Sequence, residues 1–228
     1  MPRAFNTGLP PILMANDRGT DRPRQISRVI DHMLSAWGDA AAIDSSRIAM
    51  FGFSAGGFTT LVSIGGVPDL AKVAPMCRLY PGDFACKLIA KSSSHDVPPR
   101  PATTAPSGDP RIKAAVVAAP ALGFTFSPDG LENVKVPVQL WRAENDVVLP
   151  HPRYAEAVRL ALPQTADYHV VANAGHFDFL APCSSALASL APAICVPADG
   201  FDRAAFHATF NVAVLSFLNR ALGAAPGR

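Results

Sequence analysis

Residues 47–58 read RIAMFGFSAGGF, and this sequence is the strongest indication of the fold class. A short apolar run ends at Gly52, Ser54 follows, and a helical pattern opens at Ala55. A Gly-x-Ser-x-Gly pattern between a strand and a helix places its serine on a sharp turn, with the hydroxyl exposed at the top of a parallel sheet. We therefore predict a strand buried on both faces, Ser54 as a nucleophile, and a helix from Ala55.

Small residues are expected on both sides of this serine, because the strand and the helix close together at the turn. Gly52 and Gly56 supply them, and the sequence predicts that a larger side chain at either position would collide with its surroundings. The backbone N–H of Ala55 is the predicted donor of an oxyanion hole.

A serine hydroxyl needs a histidine to take its proton and an acid to orient that histidine. In proteins whose serine lies on such a strand-to-helix turn, the three residues occur in the order Ser, Asp or Glu, His along the chain. Asp146 follows one strand pattern and His176 follows the next, so we predict Asp146 as the acid and His176 as the base. Glu144, nearer the strand end, is expected to be a supporting or surface group.

Five other histidines compete for the role of base, and each has a plainer interpretation. We expect His32 on a solvated helix face and His95 in a loop. His151 is expected at a helix cap near the predicted acid. His169 is expected to pack within a strand, and His207 belongs to the closing helix.

The rest of the chain predicts an α/β fold, with a mainly parallel sheet flanked by helices in a single domain over 1–228. Residues 1–20 show no periodicity and are expected to be irregular. Residues 77–110 are rich in proline and serine, which favours a loop-rich surface excursion that could cover an active site. Strand patterns at 47–53, 112–119, 136–142 and 167–171 alternate with helical patterns beginning near residues 24, 55, 152 and 204.

Composition excludes several classes of partner. The 20 basic and 18 acidic residues give a net charge of +2 and form no basic run that could follow a phosphate backbone, so nucleic acid is not predicted as a partner. No apolar stretch approaches the roughly 20 residues that span a bilayer. Metal-ligand spacings and phosphate-binding glycine patterns are absent as well, so no cofactor or metal is predicted.

The four cysteines fall as two local pairs, Cys77 with Cys86 and Cys183 with Cys195. We predict two disulfides that staple loops, with four buried free thiols as the alternative. Disulfides would indicate an oxidising compartment, periplasmic or extracellular. The first residues contain no apolar signal core, so this interpretation implies a missing N-terminal segment.

The chain resembles the bacterial proteins called predicted dienelactone hydrolases, relatives of the platelet-activating-factor acetylhydrolase branch of the α/β-hydrolases. The resemblance extends from about residue 21 to the C-terminus. It rests on RPRQIS at 22–27, the strand, serine turn and helix start at 47–57, RAEND at 142–146 and NAGHFDFLAPC at 173–183. It implies hydrolysis of small or lipid-like esters by Ser54, Asp146 and His176, without a metal, often in exported proteins.

The front of the chain departs from this family, whose members carry a strand-rich segment before the helix that begins here near residue 24. That segment includes a His-Gly loop that donates a second oxyanion N–H. We therefore expect a chain lacking the N-terminal strands, with an exposed sheet edge through which it could form a homo-oligomer.

Two functions follow as hypotheses. The first is a serine esterase that works through an acyl-enzyme, with Phe53, Phe124 and Phe177 facing an apolar part of the ester. The alternative is a catalytically impaired hydrolase fragment that serves as a binding or assembly module. A peptidase or an acyltransferase could use the same three residues.

Overall fold

The computed structural model describes residues 21–91 and 108–223. It confirms the predicted α/β organisation, since four strands form one parallel sheet in the order β1-β2-β3-β4. Each strand pairs with the one that precedes it in the chain. The strands are β1 (Ile48–Phe53), β2 (Ile112–Ala118), β3 (Val138–Ala143) and β4 (Asp167–Val171).

Helices follow or separate these strands, as the alternating patterns predict. None of the helices within 21–91 and 108–223 is long and apolar enough to cross a membrane. The irregular segment expected at 1–20 lies outside the described residues. The helices are α1 (Asp21–Ser35), α2 (Ala55–Ser63), α3 (Val73–Leu79), α4 (Phe84–Lys91), α5 (Pro128–Leu131), α6 (Ala155–Ala161), α7 (Ser185–Leu190), α8 (Pro192–Cys195) and α9 (Arg203–Ala221), with short 3-10 helices at Ala40–Ala42, Leu70–Lys72, Gly123–Thr125 and His176–Phe179.

Two apolar clusters cover the two faces of the sheet. Strand β2 is buried along almost its whole length, because its side chains alternate between the clusters. Val117 belongs to the cluster that contains residues of α2 and α6, whereas Val116 belongs to the cluster that contains Phe210 and Phe217 of α9. The closing helix predicted from about residue 204 is therefore present, and its buried Phe210 and Phe217 belong to the cluster on one face of the sheet.

The prediction that β1 is buried on both faces is wrong. Within the described residues β1 pairs only with β2, so it forms an edge of the sheet, and Phe51 is 50% exposed. An apolar run that ends in glycine is common to central and edge strands, and local sequence does not reveal the number of neighbours. Within the described residues, β1 thus forms the exposed sheet edge that the sequence predicted.

The excursion predicted at 77–110 is only partly correct. Residues 73–79 and 84–91 form α3 and α4 rather than a loop. Ala85 and Cys86 are buried, and Ala85 belongs to the cluster on the α2 face. The proline- and serine-rich part, including His95, lies in the undescribed residues 92–107. Local composition does not reveal these helices, because Asp83, which lies between them, pairs with the distant Arg153.

Both predicted disulfides are present. Cys77 bonds to Cys86 and Cys183 bonds to Cys195, with Cα–Cα distances of 5.3 and 5.6 Å. The first links α3 to α4, and the second links the end of α8 to the loop before α7. Such bonds persist in oxidising compartments, which agrees with the environment expected from the sequence.

Acid should weaken the fold through Asp109, which lies before β2. The Arg111 guanidinium beside it lowers the pKa of Asp109 to about 2. Since the folded-state value is depressed, this stabilisation is present above about pH 4, the usual range of an aspartate, and is lost as pH falls toward 2. We expect Asp109→Asn to remove up to about 2 kcal/mol of the free energy of unfolding at neutral pH, and less at pH 2. Urea denaturation at both pH values measures this, and an equal loss at both would contradict it.

Candidate active site

Ser54 occupies a strained turn between β1 and α2. Its backbone has φ 54° and ψ −116°, a conformation that side chains rarely adopt. Neighbouring backbone holds the turn, because Ser54 N–H donates to the Ala118 carbonyl and the Ala121 N–H donates to the Ser54 carbonyl, each at 2.9 Å. The end of β2 therefore fixes the serine, and Ala55 begins the helix directly after it.

The two glycines that flank the serine are not equivalent. A Cβ on Gly52 would lie 2.2 Å from the Gly56 carbonyl oxygen and 2.3 Å from Thr60 Oγ1. A Cβ on Gly56 would meet nothing within 4 Å, so the prediction of a collision there is wrong. The backbone of Gly56 lies close to Gly52, whereas the position that a Gly56 side chain would occupy is open. A Cβ on the next residue, Gly57, would lie 3.0 Å from Pro120 Cα, so Gly57 has tighter surroundings than Gly56.

We expect Gly52→Ala to lower the free energy of unfolding by about 3 kcal/mol, because the added methyl meets a helix carbonyl that cannot move without opening the turn. Gly56→Ala is the matched control and should leave stability unchanged or slightly raised, since alanine favours a helix. Urea denaturation of both variants measures the difference. Equal stabilities would contradict the packing described for this turn.

Asp146 lies in the loop after β3 and is buried. Its Oδ1 accepts hydrogen bonds from the backbone N–H groups of Val148 and Leu149 at 2.9 and 2.7 Å. Its Oδ2 is left for a side chain and lies 2.7 Å from His176 Nδ1. The loop therefore dictates which carboxylate oxygen meets the histidine.

His176 begins the 3-10 helix that follows β4 and links the other two residues. Its Nε2 lies 3.0 Å from Ser54 Oγ, and its side chain is 2% exposed. A carboxylate oxygen only accepts, so the contact with Asp146 puts the ring proton on Nδ1 and leaves the Nε2 lone pair facing the serine hydroxyl. Ser54, Asp146 and His176 meet because the strands are parallel, so that their carboxyl ends lie together at one end of the sheet.

The chain was compared with protein-family models and with curated proteins. Neither comparison gave a match. The geometry of the site provides a serine hydroxyl, an imidazole whose Nε2 faces that hydroxyl, and a carboxylate that fixes the imidazole.

Two of the three aromatic residues expected at a substrate site contact the histidine. The ring centroid of Phe53 lies 4.8 Å from that of His176, and the ring of Phe177 lies 5.1 Å away. Phe124 packs instead on Tyr154, at 5.6 Å. The structure thus places two aromatic side chains against His176.

The competing residues take other positions. Glu144 is exposed and accepts a hydrogen bond from the Asn173 N–H. His32 and His151 are exposed. The ring of His169 stacks on that of Trp141, with 4.0 Å between the centroids. His207 lies in α9 and contacts the Asp178 carbonyl oxygen. His95 lies outside the described residues.

Sequence reasoning missed a buried network beside the acid. Asp83 pairs with Arg153 at 2.8 Å and accepts a hydrogen bond from the Tyr154 hydroxyl at 3.0 Å. Burial, followed by the charge of Asp83, raises the pKa of Tyr154 well above its ordinary value. Asp83 belongs to the segment stapled by the Cys77–Cys86 disulfide, so this network ties that segment to the chain after Asp146. A lone aspartate between Gly82 and Phe84 gives no local signal of such a role.

A second buried pair, Asp178 with Arg203, lies beside His176. Away from these groups lie two cavities of about 150 and 220 Å³, and neither is lined by Ser54, Asp146 or His176. Within the described residues, no cluster of His, Cys, Asp and Glu is suited to hold a metal.

Proposed function

We propose that this chain is a serine hydrolase of carboxylic esters with the α/β-hydrolase fold. The observation that supports the proposal is the continuous hydrogen-bonded series from Ser54 Oγ through His176 to Asp146, with distances of 3.0 and 2.7 Å. Ser54 lies on a strained strand-to-helix turn of a four-stranded parallel sheet. In this context a serine at the end of such a series acts as a nucleophile.

In the first half of the reaction, Ser54 Oγ attacks the ester carbonyl carbon while His176 Nε2 takes the hydroxyl proton. The Oγ–C bond forms, and the carbonyl oxygen gains the negative charge of a tetrahedral intermediate. Collapse breaks the bond to the alcohol oxygen, which receives the proton from Nε2. Asp146 accepts from Nδ1–H throughout, so it stabilises the imidazolium that forms in between.

In the second half, water attacks the acyl-enzyme with His176 as base, and the proton returns to Ser54 Oγ as the acid product leaves. The N–H of Ala55 lies in the first turn of α2, where backbone donors have no partner within the helix. It is the oxyanion donor that this part of the chain offers, because it follows the nucleophile directly.

The substrate class follows from the surroundings of the base. Phe53 and Phe177 present aromatic rings beside His176, which suits an apolar acyl or alcohol group on a small or lipid-like ester. The two disulfides favour a periplasmic or secreted enzyme.

Labelling with a fluorophosphonate tests the proposal, because Oγ attacks phosphorus and expels fluoride only when the serine is activated. We expect one adduct by intact mass, mapped to Ser54 by peptide analysis, and none in Ser54→Ala. Ser189→Ala, which changes an exposed serine of α7, is the control that should label fully. An adduct of equal extent in Ser54→Ala, or none in the folded unchanged chain, would contradict the proposal and favour the binding-module alternative. Turnover of matched ester and amide substrates separates an esterase from a peptidase.

We also propose a second copy of this chain as the partner of β1. The strand carries no charged residue from Ile48 to Phe53, and Phe51 leaves half its surface exposed at the edge. Edges without charges or prolines are templates for pairing with another strand. Light scattering after size exclusion should give a dimer mass for the unchanged chain and a monomer mass for Phe51→Lys. Equal masses would contradict this arrangement.

A further inference from the structure

Asp178 and Arg203 form an ion pair that the proposed reaction does not use. Their side chains are only 2% and 5% exposed, and Arg203 Nη2 lies 3.0 Å from Asp178 Oδ1. A second donor, Arg203 Nε, lies 3.1 Å from the same oxygen. Removing two charges from water is costly, so a pair buried this deeply needs a reason beyond stability.

The other oxygen of Asp178 holds the turn that carries the base. Asp178 Oδ2 accepts from the Gly175 N–H at 2.8 Å, and Gly175 directly precedes His176. The same oxygen accepts from the Ala198 N–H at 3.2 Å. The backbone carbonyl of Asp178 accepts from His207 Nε2 of α9, at 3.0 Å. The turn is therefore fixed on both sides of His176.

Arg203 extends this support to the second disulfide. Its Nη1 and Nη2 donate to the carbonyl oxygens of Ile194 and Val196, at 3.1 and 3.3 Å. These two residues flank Cys195, which is bonded to Cys183. One guanidinium thus joins the stapled loop, the start of α9 and the turn that bears His176.

We infer that Asp178 and Arg203 are positioning residues that hold His176 between Asp146 and Ser54. The inference deepens the proposed function and rests on it for its effect on turnover. His176 must meet both partners at hydrogen-bond distance, and a displacement of about 1 Å at such a site can lower the rate a hundredfold.

The test uses a readout that does not depend on turnover. The Nδ1–H of His176, donated to a buried carboxylate, should give a proton NMR signal downfield of the amide region, identified by ¹⁵N-histidine labelling and by its loss in His176→Gln. We expect this signal in the unchanged chain and its loss or strong broadening in Asp178→Asn. A signal with unchanged position and width in Asp178→Asn would overturn the inference, as would its absence from the unchanged chain.

Asp109→Asn is the matched control, since it also removes a buried carboxylate from an arginine pair but lies before β2, at the amino-terminal ends of the strands and away from His176. It should leave the signal intact. If Asp178→Asn does not fold, the double variant Asp178→Leu, Arg203→Met removes both charges together and avoids an unpaired one. Its folded form should also lose the signal, and a retained signal would overturn the inference.

Turnover of p-nitrophenyl butyrate adds a second measurement. We expect kcat to fall about 10- to 100-fold in Asp178→Asn with little change in KM, while Asp109→Asn retains the kcat of the unchanged chain. A loss of stability without this change in kcat would assign the pair to folding alone and overturn the inference. Absence of Ser54-dependent turnover in the unchanged chain, with the NMR results as expected, would reject ester hydrolysis and leave the positioning of His176 supported.

Discussion

Replacing Ser54 with alanine should lower the kcat for p-nitrophenyl butyrate by a factor on the order of 10⁴ or more. The variant loses the oxygen that forms the acyl-enzyme, while His176, Asp146 and the Ala55 N–H stay in place. What remains is the hydrolysis that binding and the oxyanion donor support without a nucleophile. A time course of both proteins, after each is checked for monodispersity, gives the ratio.

The same position should link activity to stability. Alanine keeps the strained backbone at φ 54°, whereas glycine adopts this conformation without strain. We expect Ser54→Gly to be as inactive as Ser54→Ala but more stable by about 1 kcal/mol in urea denaturation. Turnover in Ser54→Ala equal to that of the unchanged chain would reject Ser54 as the nucleophile. Equal stability of the two variants would reject the strain.

Asp146→Asn is expected to lower kcat by about 10⁴, although the change is a single atom. The Val148 and Leu149 N–H groups require an acceptor at the Oδ1 position, so the amide oxygen must lie there and the NH₂ group must face His176. Nδ1 then becomes an acceptor and the ring proton moves to Nε2. A protonated Nε2 cannot take the proton of Ser54, so the base is present in the wrong tautomer.

Glu144→Gln is the control for this experiment, because Glu144 is an acid in the same loop whose side chain is exposed and bonds only to the Asn173 N–H among the described contacts. It should keep the kcat of the unchanged chain. The two variants are compared by turnover and by near-ultraviolet circular dichroism, which reports an intact fold. A loss in Glu144→Gln equal to that in Asp146→Asn would contradict the assignment of the acid.

Much of this architecture could be predicted from local sequence. The apolar runs, the turn at Ser54, the residues after β3 and β4 and the two cysteine pairs each depend on neighbours within about a dozen positions. The parallel sheet then brings Ser54, Asp146 and His176 together at the carboxyl ends of its strands. This convergence is a property of the topology, so it followed once the strands and their order in the chain were recognised.

What could not be predicted depends on distant contacts. The partners of Asp83 are about 70 residues away, and those of Asp178 include a residue 25 positions later. Nothing around either aspartate separates it from a solvated acid. The edge position of β1, the helices within 73–91 and the open space beside Gly56 likewise follow from which segments pack together, which local patterns do not specify.

Because every strand pairs with the strand that precedes it, the sheet can lengthen in the order in which the ribosome releases the chain. Ser54 emerges first, Asp146 follows, and His176 comes last. Arg203, which supports the turn of His176, emerges later still. In a nascent chain Ser54 would therefore lack its hydrogen-bond partner His176 until β4 and the turn after it have been released, and that turn would lack the support of Arg203 until α9 follows.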